Sequence, residues 1–120
     1  MENISKSNEL DFIPFPIPGA TSEKLFAKLL NVDIKYGPVL AILKMDAGAF
    51  IPAHIHYKTA EQHYVLTGDF INDGVSYEAG AFFCHDKGQV HGPHSTQNGC
   101  TLLFIQPNEV DPTDFEIAGN

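Results

Sequence analysis

The chain has 120 residues, enough for one domain that buries a hydrophobic core without disulfides. Its composition, 43% hydrophobic with nine Phe, supports such a core. Fifteen acidic residues against seven basic give a formal net charge of −8, and every basic residue is Lys. Because Arg is the usual bidentate partner of carboxylates and phosphates, its absence disfavours strongly anionic substrates. The absence of a basic patch also disfavours nucleic acid as a partner.

Targeting signals and cysteines bear on the location of the protein. No apolar run approaches 18 residues, so no membrane span is predicted. The first six residues lack the charged-then-apolar pattern of a signal peptide, which makes a cytoplasmic location the expectation. Under that expectation Cys84 and Cys100 are interpreted as reduced, buried residues and not as a disulfide.

The N-terminal segment is predicted to be an extended arm. Pro14, Pro16 and Pro18 stand on alternate positions with apolar residues between them, which excludes a helix or a central strand. We expect this arm to lie over apolar surface, either of its own domain or of a partner subunit. The predicted organisation is an arm over 1–22, a β-barrel over 23–108 and a C-terminal tail over 109–120.

The rest of the chain is predicted to form short strands separated by turns. Residues 24–32 suit a strand, although 23–30 also suits a short helix. Clearer strands are predicted over 39–45, 62–67, 70–71, 81–84 and 101–106, and Asn72-Asp73-Gly74 predicts a hairpin turn. Many short strands at regular spacing indicate an all-β sandwich or barrel.

Two spaced motifs narrow this prediction. The first motif follows the pattern G-x5-H-x-H-x4-E-x6-G, from Gly48 through His54, His56 and Glu61 to Gly68. The second runs from Gly80 to Gly88 and His91, with Asp86 and Ser95 at positions where the usual pattern has Pro and Asn. In order and spacing the two motifs resemble those of the cupin superfamily. The resemblance implies an all-β double-stranded β-helix, the jelly roll.

The motif residues are also a plausible ligand set for one metal ion. His54 and His56 are two residues apart, so in a strand both imidazoles face the same side. Glu61 begins the next predicted strand, and His91 is expected to arrive from the far side of the barrel. Three imidazoles and one carboxylate suit Fe(II), which we favour, or Zn, Ni, Mn or Co. Octahedral coordination by these four ligands would leave positions open for substrate or O2.

The remaining histidines and several apolar residues are candidates for the pocket. His63 shares the face of Glu61 and is a candidate catalytic residue, either orienting a ligand or acting as acid or base; a hydrogen-bonded core histidine is the alternative. His94 is predicted on a turn at the pocket rim, with surface exposure as the alternative, and His85 has the weaker claim to a role. The predicted substrate-binding residues are Phe50, Tyr64, Phe83, His94 and Leu103. An apolar lining of this kind suits a small neutral ligand.

Within the cupins the chain resembles two groups. One contains the acetylacetone-cleaving and 2,4′-dihydroxyacetophenone dioxygenases, through Phe15-Pro16, His54-Ile55-His56 and His91-Gly92. That resemblance implies a non-haem Fe(II) site with His54, His56 and His91 as ligands, although those enzymes manage without the carboxylate that Glu61 supplies here. The other is the zinc-binding cupin domain of anti-sigma factors, through the H-x-H pair, the following glutamate and Gly99-Cys100. A direct anti-sigma role is not expected, because the chain has no room for the helical domain that binds sigma.

Three functional hypotheses remain open at this point. The first is an Fe(II) dioxygenase that cleaves a C–C bond in a small diketone or hydroxyaryl ketone. The second is a non-oxidative metal-dependent isomerase or lyase, and the third is a metal- or small-molecule-binding cupin without turnover, acting as a sensor. The fold hosts all three, so the site must decide between them.

A homodimer is expected, because the arm and the open sheet edges suit pairing of subunits.

Overall fold

The computed structural model describes residues 2–119. The regular secondary structure is almost entirely β-strand, which confirms the all-β jelly-roll prediction. The strands are β1 (Ile13–Pro14), β2 (Leu25–Asn31), β3 (Val39–Met45), β4 (Phe50–Ile51), β5 (His54–Ile55), β6 (Glu61–Gly68), β7 (Phe70–Asn72), β8 (Val75–Tyr77), β9 (Phe82–His85), β10 (Val90–His91), β11 (His94–Ser95), β12 (Cys100–Gln106) and β13 (Glu116–Ile117). Two single-turn 3-10 helices, Ser7–Glu9 and Ser22–Lys24, precede β1 and β2.

The strands form three antiparallel sheets. Six strands pair in the order β1-β2-β3-β12-β6-β9, and β10-β5-β13 and β4-β11-β7-β8 form two smaller sheets. The long central strands β3, β6 and β12 alternate buried and exposed side chains, as expected for a sheet with one face on the core. The segment 24–32, for which a helix was the alternative, forms the strand β2 after a single 3-10 turn.

A small apolar cluster, Val39, Ala41 and Phe104, lies at the end of the barrel that also contains buried polar residues, and the main apolar core lies toward the other end. Its centre is formed by Val65 and Phe70, both fully buried, and the other members are Leu25, Met45, Ala49, Ile51, Cys100 and Leu102. On β6 the inward positions change from Val65 to His63 and then to Glu61 along the strand. The same strand face therefore contributes first to the core and then to a buried polar site.

The two cysteines differ from the sequence expectation in one respect. Both are free, and Cys100 is buried in the core as expected. Cys84 is exposed, because on β9 the inward side chain next to it is His85. Because side chains alternate between the two faces of a strand, β9 directs His85 and not Cys84 into the barrel.

The N-terminal segment folds back on its own barrel. β1 pairs with β2, with Ile13 opposite Ala27 and Pro14 opposite Phe26. Among the residues that the structure describes, none belongs to a helix with the length and apolar character that a bilayer crossing requires.

Candidate metal centre

Four side chains from the two motifs meet at the polar end of the barrel. His54 lies on β5, His56 directly follows that strand, Glu61 begins β6 and His91 ends β10. One nitrogen or oxygen atom from each residue lies within 4.8 Å of those of the other three. His54, Glu61 and His91 are buried and His56 is partly exposed, so the cluster is shielded and still accessible from one side.

Strand pairing explains how His91 joins the cluster. β10 pairs with β5, which puts His91 directly opposite His54 and brings their ring centroids within 4.2 Å. His91 therefore lies on the neighbouring strand of the same sheet. The expectation that it arrives from the far side of the barrel is wrong, because pairing of these two-residue strands cannot be recognised from alternation over so short a length.

Hydrogen bonds to backbone carbonyls fix the tautomers of two of the imidazoles. His54 Nδ1 lies 2.7 Å from the Pro52 carbonyl oxygen, and His56 Nδ1 bonds to the Asp114 carbonyl oxygen. A carbonyl oxygen can only accept, so both Nδ1 atoms carry the proton, and the Nε2 of His54 presents a lone pair. The Nε2 of His56 faces Glu61 Oε1, which also only accepts, so without a metal this nitrogen donates a hydrogen bond. Burial by itself would lower the pKa of His56, but the hydrogen bond to Glu61 raises it, and a metal ion would displace that proton. Metal-binding histidines are oriented in this way. The donor set and its outer hydrogen bonds therefore fit a divalent metal ion.

Buried charge supports the same conclusion. Burial by itself would raise the pKa of Glu61, but the hydrogen bond from His56, whose Nε2 lies 3.0 Å from Oε1, and the surrounding histidines lower it to about 2. Burial lowers the pKa of His91 to about 3 and also lowers the pKa of His54. At neutral pH the carboxylate is thus ionised and these two imidazoles are neutral, which are the forms that bind metal.

The C-terminal segment, predicted only as a tail over 109–120, completes the centre. β13 pairs with β5, and the Phe115 ring stacks on His54 at 4.7 Å between centroids. The buried Asp114 carboxylate accepts the backbone N–H groups of Tyr57 at 2.7 Å and Lys58 at 3.0 Å. The apolar Phe115 and Ile117 on alternate positions after the Asp111-Pro112 turn were the available signal for this strand.

A cavity of about 390 Å³ opens onto the cluster. Its walls come from the N-terminal arm, the inner faces of β2, β3, β6 and β12, and the C-terminal segment. The residues that line it are mostly apolar and include Phe15, Pro16, Ile17, Pro18, Leu43, Phe104, Val110 and Phe115. Three metal-site residues, His54, His56 and Glu61, also line the cavity, so a small molecule inside it can reach the cluster.

The lining of this cavity differs from the sequence prediction. Phe50 and Tyr64 are 42% and 40% exposed, and Leu103 lies on an outward position of β12, opposite Tyr64. Phe83 packs against Phe70 at 5.4 Å on the core side and is not among the cavity residues. The prediction failed because the outward positions of these strands are also apolar, so hydrophobicity did not reveal which face is inside.

The three other histidines lie inside the barrel. His94 lines the cavity and is only 2% exposed, so the alternative of a surface position is wrong. His63 Nε2 is 3.6 Å from Glu61 Oε2, and burial lowers the pKa of His63 to about 4. His85 is buried at the end of β9. His63, His85 and His94 form a second cluster, with one ring nitrogen from each within 4.8 Å of the others.

Comparison with known proteins agrees with this fold. The model of the ChrR cupin-like domain matches residues 2–110. Among curated proteins, none matches the chain.

Solved structures share the fold at low sequence identity. The polyketide cyclase RemF from Streptomyces resistomycificus is 17% identical, with a TM-score of 0.77 over 100% of this chain and 87% of that one. An acetylacetone dioxygenase from Acinetobacter johnsonii is 17% identical, with a TM-score of 0.69 over 99% and 83% of the two chains. A predicted oxalate decarboxylase from Thermotoga maritima is 20% identical, with a TM-score of 0.71 over 84% and 95%. With its jelly roll, its two motifs and a family match over most of its length, the chain belongs to the ChrR cupin-like family of the cupin superfamily.

Proposed function

We propose that this protein is a metal-dependent cupin enzyme, a non-haem Fe(II) dioxygenase that cleaves a C–C bond in a small diketone or hydroxyaryl ketone. The observation that carries the proposal is that the His54, His56, Glu61 and His91 cluster opens, through the first three of these residues, onto a mostly apolar cavity. A structural metal site is closed by its protein ligands, whereas a catalytic site keeps a position open to substrate.

The cavity supports a small, neutral substrate. Its volume of about 390 Å³ suits a molecule with a short carbon skeleton, and its walls are chiefly aliphatic and aromatic. Lys44 is the lysine among the lining residues, and its ammonium group pairs with Asp46 at 3.7 Å and lies over the Phe12 and Phe26 rings. That charge is already compensated, so it does not favour an anionic substrate.

The reaction divides between the metal and the protein. Bound Fe(II) would supply Lewis acidity toward two chelating oxygen atoms and redox chemistry with O2. The apolar walls hold the carbon skeleton and exclude water, and the neutral His63 beside Glu61 takes a proton from the acidic carbon between the carbonyls. In the overall reaction a β-diketone and O2 give a carboxylic acid and a 2-oxoaldehyde: one C–C bond breaks, and each product keeps one atom of the O2.

Oxygen consumption by reconstituted protein tests this proposal. Apoprotein is loaded anaerobically with Fe(II), metal content is measured, and O2 uptake is followed with small β-diketones and hydroxyacetophenones, with the Zn(II) form in parallel. We expect uptake that requires both iron and one substrate class. Glu61→Gln should lose iron affinity and uptake, whereas Gln62→Ala, on the next and outward position of β6, should keep both. Absence of uptake at full iron occupancy would overturn the dioxygenase proposal.

The comparisons with known proteins favour two alternative functions. The description of the family as ChrR cupin-like supports a metal-binding module without turnover, and the cyclase and decarboxylase among similar structures support a non-oxidative isomerase or lyase. Full metal occupancy without O2 uptake, combined with saturable binding of a ketone followed by NMR, separates these alternatives: an unchanged bound ketone indicates a binding module, and conversion without O2 indicates an isomerase or lyase.

A further inference from the structure

All six histidines of the chain lie inside one barrel, in two adjacent groups. The first group belongs to the metal centre described above. The second group, His63, His85 and His94, comes from β6, β9 and β11, and each of its members is less than 9% exposed. Three different strands thus direct imidazoles to one buried place. A mechanism based on the first group uses at most one of these residues, His63.

The rings of the second group have ring nitrogens without partners. His63 Nδ1, His85 Nε2 and both nitrogens of His94 are buried and make no hydrogen bond within the part of the chain that the structure describes. A buried polar atom without a partner costs about 1–3 kcal/mol, so native structures rarely keep several together without a ligand. In the first group, two of the three rings have their outer nitrogens satisfied by carbonyl oxygens, and His91 Nδ1 is the one that makes no hydrogen bond within the described residues.

We propose that His63, His85 and His94 form a second binding site for a divalent transition-metal ion. One ring nitrogen from each residue lies within 4.8 Å of those of the other two. A shared ion at about 2.1 Å requires separations of about 3–3.6 Å, which ring rotations on binding would supply. Three neutral imidazoles suit Zn, Ni, Co or Cu.

Glu61 lies between the two groups and can serve both. Its Oε1 is 3.0 Å from His56 Nε2 in the first group, and its Oε2 is 3.6 Å from His63 Nε2 in the second. The His85 and His91 rings, one from each group, are 4.4 Å apart between centroids. A carboxylate with one oxygen toward each ion is the arrangement of two-metal centres, whose ions are about 3.5–4 Å apart.

The charges around the two sites predict which of them binds its metal ion more tightly. The two ions share one carboxylate, Glu61, so the second ion enters a site whose negative charge already compensates the first. Repulsion between two divalent ions in a buried site makes the second binding step the weaker one. We therefore expect sequential binding, with the second affinity about tenfold or more below the first.

A second ion has a consequence for the proposed dioxygenase, although the site itself does not depend on that activity. When a metal occupies His63, this residue no longer accepts a proton from the substrate. Filling the second site should therefore inhibit turnover, and the metal stoichiometry can be measured whether or not turnover is found.

Metal titration of the apoprotein tests the proposal. Equilibrium dialysis against Zn(II) or Co(II), followed by elemental analysis, should give two ions per chain in two resolved steps. With Cu(II), the first equivalent should give an EPR signal that the second equivalent reduces, because two Cu(II) ions joined by one carboxylate couple magnetically. A wild-type protein that stops at one ion per chain, or two Cu(II) ions without coupling, would overturn it.

Matched variants assign the steps to the two groups. His85→Ala should lose the second step and keep the first, and retention of the tight step itself reports a folded barrel. His54→Ala should weaken the first step and keep binding at His63, His85 and His94. Cys84→Ser, which removes the exposed thiol next to His85, should change neither step. If Cys84→Ser abolishes the second step, the ion binds at the surface thiol and the proposal is wrong.

Discussion

Asp114 shows how a residue outside the motifs can control the metal centre. Its buried carboxylate accepts two backbone N–H groups from the turn that follows His56, and its carbonyl oxygen accepts the Nδ1–H of His56 itself. One residue therefore holds both the backbone and the tautomer of a ligand. Outer partners of this kind are expected to contribute strongly to metal affinity.

Replacing Asp114 should therefore weaken metal binding without removing a ligand. In Asp114→Ala the turn at Tyr57 and Lys58 loses its acceptor, and we expect metal affinity to fall about 10–100-fold. The free energy of unfolding should fall by about 1–3 kcal/mol, because two N–H groups lose a buried partner. Metal affinity is measured by competition with a chelator, and stability by urea denaturation of the apoprotein.

Asp111 provides the control on the same segment. Its carboxylate pairs with the exposed Lys58 ammonium group and is not buried, so Asp111→Asn should leave metal affinity nearly unchanged. Equal losses of affinity in the two variants would show that any change in this segment disturbs the site and would contradict the specific role of Asp114.

Among the elements, the junction of β6 and β7 is the most constrained. Gly68 has a φ of +80°, and a Cβ atom on it would lie 2.0 Å from the Gly99 carbonyl oxygen. Gly74, at the tip of the β7–β8 hairpin, has a φ of +81° and no atom within 4 Å of such a Cβ. The two glycines share a backbone conformation and differ only in the space around them.

Replacing each of these glycines by alanine separates the cost of backbone strain from the cost of a steric clash. Gly74→Ala should cost about 1–2 kcal/mol, the price of a left-handed alanine. Gly68→Ala should cost at least about 4 kcal/mol, because backbone and not a flexible side chain occupies the space. Thermal and urea denaturation measure both. Similar losses of stability in the two variants would mean that β12 moves away easily at this junction.

The length of an element also decided whether it could be predicted. The strand Val39–Met45 was predicted with its observed bounds, and β6 and β12 were predicted to within one residue at each end, because a run of six or more strand-forming residues between turn residues is recognisable even without alternation. The two-residue strands β4, β5, β10 and β11 have no alternation to detect. These short strands position His54, His91 and His94. The first ligand set could be predicted because its residues stand at motif spacing, whereas His63, His85 and His94 follow no such spacing and could not be grouped from the sequence.

At the scale of the whole molecule, the outer face of the six-stranded sheet is unusually apolar. Strand pairing places Phe82, Tyr64, Leu103 and Ile42 in one row across four strands. Phe82 and Tyr64 are 57% and 40% exposed. Tyr64 and Leu103, which had been predicted to line the cavity, therefore belong to an apolar outer surface. β9 is an edge strand of this sheet, so among the described residues one of its sides is unpaired.

We expect two copies of the chain to associate through this row. Light scattering after gel filtration should give twice the 13.2 kDa of one chain at micromolar concentration. Tyr64→Asp combined with Phe82→Asp should give a monomer with an unchanged fold by circular dichroism, since both side chains point away from the core. Tyr36→Asp, at a tyrosine that is 54% exposed in the loop between β2 and β3, should remain a dimer. A monomeric wild-type protein would contradict this expectation.

The closing of the cavity by the arm and by the segment around Phe115 has a consequence for biosynthesis. Translation delivers His54, His56 and Glu61 long before it delivers Asp114 and Phe115, which orient and cover them. A nascent chain on the ribosome thus displays the motif without the partners that give it high affinity. With the proposed metal function, tight metal binding is therefore expected only after β13 has docked, and the ion available at that stage would decide which metal the mature protein retains.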